Sequence, residues 1–210
     1  MRRLLDGAAS FVFALIVCMH TPVLAGDLSG PAAGGPHRII DQFHASLLAV
    51  MKNADKSGAK ERYRILEPEI AKRFDLRLMI ALATGKHWRT ASDISRERLT
   101  EAFHRFSAAT YASRFSGFSG QSFKTLTVNT GPRKTELVAT EIRRPDGPPV
   151  ALTYVTRKIA AGWRVVDVLV EGGISELAVR RSEYRSVLAS DGVDGLIRLL
   201  DQKTQTLLKE

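Results

Sequence analysis

The sequence has little of what disulfide, metal or nucleotide chemistry requires. Its 210 residues include one cysteine, Cys18, so neither an internal disulfide nor a cysteine-rich zinc site is expected. None of the five histidines stands in a compact ligand spacing, and His37 and His44, seven residues apart, are better explained as solvated or core-edge side chains. No glycine-rich phosphate loop occurs. We therefore expect no metal and no cofactor.

The sequence also lacks a complete catalytic motif. Ser57-Gly58-Ala59-Lys60 has the S-x-x-K spacing of penicillin-binding enzymes, but the S-D-N and K-T-G motifs that accompany it are absent. A turn between two helices explains this segment without chemistry. Gly117-Phe118-Ser119-Gly120 lacks the G-x-S-x-G spacing of a nucleophile elbow. We therefore assign no catalytic residue and expect that the protein is not an enzyme.

One long apolar run is present, and its position at the N-terminus is typical of a secretory signal peptide. Arg2 and Arg3 precede an apolar stretch over residues 8–19, and Val23-Leu24-Ala25 is a small-x-small cleavage site. The stretch is shorter than the ~20 apolar residues of a membrane-spanning helix, although an uncleaved anchor is the alternative. We predict a signal peptide over residues 1–25, cleaved after Ala25.

The predicted export indicates in which compartment the chain folds and what its positive charge can contact. Cleavage would leave a chain without a thiol, which suits an oxidising compartment, and the short loops favour a bacterial periplasm. A lipoprotein is disfavoured because Val17, rather than a small residue, precedes Cys18. The formal charge of +9 is scattered along the chain. We therefore expect a solvated surface, or transient contact with anionic lipid head groups, and no nucleic-acid partner.

The exported chain changes from helical to strand periodicity and back. We predict that residues 26–36 form a flexible Gly/Pro-rich lead and that residues 37–210 form a single domain. Helical spacing predicts a helix after Pro36 that ends at Lys56-Ser57-Gly58, then helices over 60–72, 75–84, about 93–115, 174–189 (one segment or two) and 193–208. Alternating residues predict strands over 121–129, 133–144, 149–158 and 162–171.

This order of elements predicts an α+β fold. Asp146-Gly147 and Ala161-Gly162 mark tight turns, so the strands form one curved four-stranded antiparallel sheet. Helices from both ends of the chain must cover its apolar face. Such a fold leaves a wedge between sheet and helices, which is filled by side chains or stays open for a ligand.

Seven segments of the exported chain follow one another in an informative order. They are Leu82–Thr90, Ala102–Phe106, Thr110–Ala112, Phe123, Trp163–Ser175, Arg180–Tyr184 and Gly192–Ile197. Together they resemble the MlaC-type periplasmic lipid-binding proteins, also called the toluene-tolerance family, over most of residues 36–205. The details at 174–177 and 181–184 look closest to the hopanoid-associated HpnM branch. Gly173 departs from the family, which often has a larger residue there.

The resemblance implies a soluble carrier without catalytic activity. It would take one lipid, a hopanoid or a phospholipid, between the inner and outer membranes, with an inner-membrane transporter complex and an outer-membrane acceptor as partners. One alternative is a non-catalytic periplasmic adaptor that bridges membrane transport complexes. Another is a cleft hydrolase that uses Ser57 or Asp167.

A lipid carrier needs a deep apolar cavity. Hiding one methylene from water is worth ~0.8 kcal/mol, so about 30 methylenes are worth roughly 24 kcal/mol, whereas each head-group hydrogen bond contributes roughly 1 kcal/mol. We therefore expect the fold to enclose an apolar cavity, with Leu152 and Tyr154 facing it. The expected lining residues are Phe43, Leu47, Phe74, Ile80, Trp88, Phe103, Phe106, Tyr111, Phe115, Leu152, Tyr154, Val166, Val168 and Ile174.

Each aromatic residue of this set, taken alone, is better explained as an ordinary core side chain, and only the set as a whole favours a cavity. Two residues have more specific alternatives. Trp88 follows Gly85 at a helix junction and either plugs a corner of the core or lines the cavity mouth. Asp167 lies within an apolar strand, where an unpaired charge is costly, so an arginine or backbone N–H partner is expected. Asp167 is therefore either a structural residue or a switch for head-group binding and release.

Overall fold

The computed structural model describes residues 34–209, so the predicted signal peptide and most of the predicted lead lie outside the described residues. The described chain forms seven α-helices: α1 (Pro36–Lys52), α2 (Ala59–Arg73), α3 (Leu76–Thr84), α4 (Lys86–Thr90), α5 (Asp93–Arg114), α6 (Glu176–Ser190) and α7 (Gly192–Leu207). It also forms five strands: β1 (Ser122–Thr130), β2 (Thr135–Arg143), β3 (Val150–Ile159), β4 (Gly162–Val170) and β5 (Ile174–Ser175).

Local sequence signals account for where the main helices begin. Pro36 is the first residue of α1. A backbone N–H at this position would have no acceptor within the helix, so proline costs no hydrogen bond there. The Ser92 hydroxyl accepts a hydrogen bond of 3.1 Å from the Ser95 amide at the start of α5. The Ser175 hydroxyl accepts one of 3.0 Å from the Ala178 amide at the start of α6. The two serine caps fix the starts of α5 and α6, both of which border the cavity described below.

The five strands form one open sheet in the order β1-β2-β3-β4-β5, and every neighbouring pair is antiparallel. The prediction of an α+β fold with four long antiparallel strands is confirmed, but the sheet has five strands rather than four. The fifth strand is two residues long, too short to give an alternating pattern. Strand β2 begins two residues later than predicted because Arg133 and Lys134 have positive φ values of 55° and 62°.

Two bulges interrupt the regular register of the sheet. Leu126 is the extra residue in β1, between Thr125 and Thr127, and Val166 is the extra residue in β4, between Val165 and Asp167. A bulge bends its strand and increases the local twist. The sheet is therefore bent at both of these strands.

The helices cover the sheet and pack on one another. Helix α1 contacts β1, β2 and β4, α5 packs between α2 and α7, and α3 packs against α5 and α6. The junction between α2 and α3 is tied to the sheet, since the Asp75 amide donates a 2.9 Å hydrogen bond to the Val165 carbonyl. Leu66, Leu99 and Leu196 of α2, α5 and α7 are fully buried. This arrangement leaves space between the sheet and α2, α3, α5 and α6.

Candidate functional site

A cavity of about 370 Å³ lies between the sheet and the helices. Its mostly apolar lining is Ile70, Phe74, Leu76, Met79, Phe103, Ser107, Thr110, Tyr111, Arg114, Phe115, Ile142, Leu152, Tyr154, Val168, Val170, Glu176, Leu177 and Arg180. Arg114 is 57% exposed, so the cavity opens to solvent at this side and the prediction of an enclosed cavity is not confirmed. The volume falls at the lower end of the ~300–1,000 Å³ range of small-molecule pockets.

An aromatic cluster forms the wall on the helical side. The rings of Phe74 and Tyr111 meet edge-on with centroids 5.8 Å apart, and Tyr111 stacks on Phe115 at the same distance. Phe43 lies behind them, with its ring centroid 5.2 Å from those of both Phe74 and Tyr111. Edge and offset contacts of this kind hold aromatic rings in fixed orientations. The wall is therefore supported by a second apolar layer.

The wall on the sheet side is braced by a buried polar pair. Tyr154 Oη and His44 Nε2 share a hydrogen bond of 3.0 Å, and the His44 ring stacks on Phe123 at 4.3 Å. Burial lowers the pKa of His44 to about 4, against an opposing effect of Asp41. His44 is therefore neutral at neutral pH, and it orients Tyr154 without placing a charge behind the cavity.

Polar groups of the lining gather where α5 ends and α6 begins. Arg114 Nη1 donates a hydrogen bond of 3.3 Å to Glu176 Oε1, and Arg180 lies one turn further along α6. By contrast, the hydroxyls of Ser107 and Thr110 donate to carbonyls one turn back in α5, at 2.7 and 2.8 Å. Their single O–H donors are thus used within α5, so these hydroxyls have no donor left for a ligand. The cavity thus has an apolar interior and one charged border.

The structure brings together half of the residues that the sequence predicts for the cavity. Phe74, Phe103, Tyr111, Phe115, Leu152, Tyr154 and Val168 line it. Phe43, Leu47, Ile80, Trp88, Phe106, Val166 and Ile174 lie outside the lining. Leu47 and Ile80 are buried within the helical core, as is Phe106, whose ring lies under the Arg180 guanidinium at 4.8 Å.

Three other predicted residues lie outside the lining for identifiable reasons. The Trp88 ring packs between the guanidinium groups of Arg77 and Arg96, with centroid distances of 5.1 and 5.8 Å. Val166 is the bulged residue of β4. Ile174 pairs with Val170, which places it on the cavity face of the sheet, but it is 61% exposed and is not part of the lining.

Several lining residues were not predicted from the sequence. The apolar ones are Ile70, Leu76, Met79, Ile142, Val170 and Leu177, and the charged ones are Arg114, Glu176 and Arg180. A partial signal exists for α3, because Leu76, Met79 and Ala83 share one face at helical spacing. No periodicity in the sequence indicates that the two arginines line the cavity, since charged side chains also flank many solvated helices.

Asp167 and Ser57, the residues that a cleft hydrolase would use, both make hydrogen bonds to neighbouring parts of the fold. Asp167 Oδ1 accepts hydrogen bonds from the amides of Val168 and Leu177 at 2.8 and 3.2 Å, and Oδ2 accepts one of 2.6 Å from the Ser175 hydroxyl. Asp167 thus joins β4 to the start of α6 through the Leu177 N–H and the Ser175 hydroxyl rather than through an arginine. The Ser57 hydroxyl donates to the Asn53 carbonyl at 2.9 Å.

Two kinds of feature are absent from residues 34–209. No group of three or more His, Cys, Asp or Glu side chains in this part of the chain could hold a metal ion. No helix among these residues is long and apolar enough to cross a membrane.

The fold and cavity define an α+β protein with an apolar pocket between a bent antiparallel sheet and its covering helices. The chain belongs to the MlaC family, because the family model described as MlaC protein matches residues 41–202. Proteins of this family are periplasmic, and they are lipid carriers rather than enzymes.

A solved structure shares this fold. It is that of a phospholipid-binding protein from Ralstonia solanacearum, determined in complex with a phospholipid. The two chains are 19% identical, with a TM-score of 0.71, and the match covers 83% of this chain and 99% of the other. At this level of identity the match establishes the fold.

Proposed function

We propose that this protein is a periplasmic carrier that shelters the apolar part of a phospholipid or a hopanoid and moves it between the inner and outer membranes. The observation that carries the proposal is the apolar cavity of about 370 Å³ in a member of the MlaC family. The phospholipid-bound state of the similar Ralstonia solanacearum protein supports a phospholipid as one cargo.

The energetic basis of carriage is the transfer of acyl or ring carbons out of water. Each buried methylene contributes ~0.8 kcal/mol, so even ten methylenes would supply about 8 kcal/mol before the entropy cost of binding. The apolar interior supplies such an environment, and the aromatic cluster gives it rigid walls. In this proposal Phe74, Tyr111 and Leu152 contact the chain of the lipid.

Transport also requires export and docking partners. The proposal includes cleavage after Ala25 and exchange with a transporter complex at the inner membrane and an acceptor at the outer membrane. The sequence pattern of residues 1–25 and the family of the chain support these steps. Transient contact with the membrane surface would allow a lipid to enter or leave through the open side of the cavity.

The decisive experiment is the recovery of bound lipid. Protein isolated from its native envelope under mild conditions should carry lipid that native mass spectrometry detects, and delipidated protein should take up labelled lipid from vesicles. The masses of the released molecules would identify the cargo. Repeated recovery of empty protein, together with no uptake from vesicles, would contradict the proposal and favour a non-catalytic adaptor that bridges membrane complexes.

A variant separates lipid binding from folding. Leu152→Arg puts a charge into the cavity lining, and we expect it to reduce lipid uptake more strongly than it lowers the melting temperature. Leu126→Arg is the matched control, because Leu126 is a bulged sheet residue that is 48% exposed and outside the lining. Parallel losses of uptake and stability in Leu152→Arg would instead make Leu152 an ordinary core residue.

A further inference from the structure

We infer that the end of the sheet farthest from the cavity border is a docking surface for an anionic lipid bilayer. This basic end consists of residues 132–134, in the turn between β1 and β2, and residues 157–164 of β3, β4 and the turn between them. The inference rests on the proposed carrier function and deepens it, because it assigns the face that holds the carrier at a membrane.

The basic end and the cavity border lie at opposite ends of the same strands. The cavity is lined by Ile142 near the end of β2, Leu152 near the start of β3 and Val170 at the end of β4. Lys158 lies further along β3 than Leu152 by a stretch of strand that corresponds to about 20 Å. A bilayer bound at the basic end therefore leaves the open side of the cavity free for lipid exchange.

The register of the strands brings five cations together at the basic end. Arg133 and Lys134 lie in the turn that leads into β2. Arg157 of β3 pairs with the first residue of β2 on one side and with Arg164 of β4 on the other, and Lys158 follows it. Because neighbouring strands lie ~4.8 Å apart, these side chains form one cluster of positive charge.

Most of this charge is not neutralised within the fold. Among residues 34–209, the exposed side chains of Arg133, Lys134 and Lys158 form no ion pair. The Arg164 guanidinium donates hydrogen bonds of 3.3 and 2.9 Å to two carbonyls of its own hairpin, which orient it and leave its charge in place. Four of the five cations are therefore available to an anionic partner.

Helix α1 directs its N-terminus toward the same end. Asp41 accepts a hydrogen bond of 2.6 Å from the Thr125 hydroxyl, and His44 stacks on Phe123, so α1 runs antiparallel to β1. Arg38, which is exposed and precedes Asp41 by about one turn, therefore lies toward the basic end and adds a sixth cation.

Carboxylates cancel only part of this charge. Asp75 forms an ion pair of 3.2 Å with Arg157, Glu136 is the second residue of β2, and Asp41 lies in α1. These three carboxylates oppose six cations when Arg38 is included, so the basic end keeps a net positive charge.

Two of the cations occupy a strained turn. Arg133 and Lys134 have φ values of 55° and 62°, in the left-handed region that L side chains rarely adopt. Hairpin turns with two such residues favour Asn and Gly. Local stability therefore does not account for two adjacent cations at these positions, whereas an interaction of their charge with a partner does.

The composition of the basic end fits a lipid surface better than a protein surface. Protein interfaces have apolar and aromatic residues at their centres and are depleted in lysine. Among residues 34–209, none of the exposed large apolar side chains lies at the basic end. A bilayer presents many phosphates in one plane, and it attracts each nearby Lys or Arg without a fitted pocket. Two hairpin turns at one end of a sheet can reach such a plane together.

The proposed route of export also favours a bilayer. Only residues 26–35 connect the proposed cleavage site to α1, and a fully extended segment of this length spans at most about 36 Å. Until the signal peptide is removed, the start of α1 stays within this distance of the inner membrane. The basic end, toward which α1 directs its N-terminus, therefore meets this membrane first.

The first test measures how delipidated mature protein sediments with vesicles. Vesicles of phosphatidylcholine alone are compared with vesicles that also contain phosphatidylglycerol, at low salt and at about 1 M salt, where screening is nearly complete. We expect the wild type to bind only the anionic vesicles, and only at low salt. Arg133→Asn/Lys134→Asn/Lys158→Gln should weaken this binding about fivefold for each cation removed, roughly a hundredfold in all, and Asn suits the strained turn.

A matched variant controls for net charge. Lys60→Gln/Arg185→Gln/Lys203→Gln removes the same charge from exposed positions of α2, α6 and α7, and it should bind vesicles like the wild type. Circular dichroism checks that both triple variants are folded. Uptake of a labelled lipid from phosphatidylcholine vesicles, measured on all three proteins, reports on the cavity separately and should be unchanged.

The second test measures the orientation of the bound protein. Because Cys18 is the single cysteine and lies in the proposed signal peptide, the mature chain can be labelled at one introduced thiol. A fluorophore at Ala160→Cys, in the turn between β3 and β4, is compared with one at Pro148→Cys, in the turn between β2 and β3. A quencher on the lipid head groups should quench the first label more strongly.

Each outcome has a defined meaning. Salt-sensitive binding to anionic vesicles that only the basic-end variant loses, with stronger quenching at position 160, supports the inference. Equal binding to both kinds of vesicle, equal losses in the two triple variants or stronger quenching at position 148 overturns it. Binding of polyglutamate through the same cations, without binding of vesicles, would overturn it in favour of an acidic protein. These outcomes leave the carrier function standing, which is contradicted instead by a failure of lipid uptake.

Discussion

The packed junction of α2, α5 and α7 and the cavity beside the sheet are both built from apolar side chains. At the junction, Leu66, Leu99 and Leu196 are fully buried against neighbouring helices. At the cavity, Leu152 and Val170 extend from the sheet toward a space of about 370 Å³. The difference is whether another part of the chain occupies the space opposite each side chain.

This comparison explains how one domain can be stable and still have room for a ligand. The favourable free energy of folding comes mainly from regions where apolar surfaces meet, because the hydrophobic contribution is proportional to the apolar area removed from water. Lining side chains that face the open space, such as the partly buried Leu152, contribute less to folding and keep apolar surface available for another molecule. Substitutions at the two regions should therefore affect different properties.

The largest expected effect on stability is at the packed junction. We expect Leu99→Ala to lower the free energy of unfolding by about 2–5 kcal/mol, because it removes a fully buried side chain and leaves a void between helices. Chemical denaturation measures this change. Lipid uptake by the fraction that remains folded should persist, and a selective loss of uptake with unchanged stability would contradict the distinction between the two regions.

The second expected effect concerns His44, which lies behind the cavity wall. Its folded-state pKa of about 4 is below the ordinary value of 6.5, so the unfolded chain takes up the proton first as the pH falls. The stabilisation from neutral His44 is therefore complete above about pH 6.5 and is lost progressively toward pH 4, with a total of about 3 kcal/mol.

Denaturation of the wild type and of His44→Gln between pH 7 and pH 4 measures this contribution. We expect the variant to lose less stability than the wild type over this interval. His104→Gln, at a partly exposed histidine beside Glu67, is the matched control. Identical pH profiles for the wild type and His44→Gln would contradict the predicted role of burial.

The third expected effect separates the two roles that the sequence leaves open for Asp167. Asp167→Ala removes the acceptor of three hydrogen bonds, two of which join β4 to the start of α6, so we expect a loss of about 1–3 kcal/mol of stability. Asp201→Ala breaks an exposed ion pair with Arg105 and should cost less than about 1 kcal/mol. A change in lipid release at unchanged stability in Asp167→Ala would favour the switch instead.

Sequence periodicity predicted the elements of the fold better than it predicted the cavity. The four long strands begin and end within two residues of their predicted bounds, because alternation persists over nine or ten residues. The five-residue α4 and the two-residue β5 are too short to give such a signal.

The cavity depends on features that periodicity does not contain. Helical spacing places Met79 and Ile80 on adjacent parts of one apolar surface, but only Met79 reaches the lining. In β4, the bulge at Val166 shifts the alternation: Val165 pairs with Thr156 and Val168 with Tyr154, so both lie on the helical face. Strict alternation would put Val166 there instead. Which residues reach the lining is therefore determined by tertiary packing, which no single segment specifies.

The smallest expected effect tests the difference between the two regions most directly, because it makes the same leucine-to-alanine substitution at the cavity. We expect Leu152→Ala to lower the free energy of unfolding by less than about 1 kcal/mol, since the partly buried side chain already faces open space and its loss enlarges the cavity without creating a new void. Denaturation of Leu152→Ala and Leu99→Ala side by side measures the difference. A loss at Leu152 as large as that at Leu99 would mean that the sheet side is closed and packed in solution, and the separation between a folding region and a binding region would not hold.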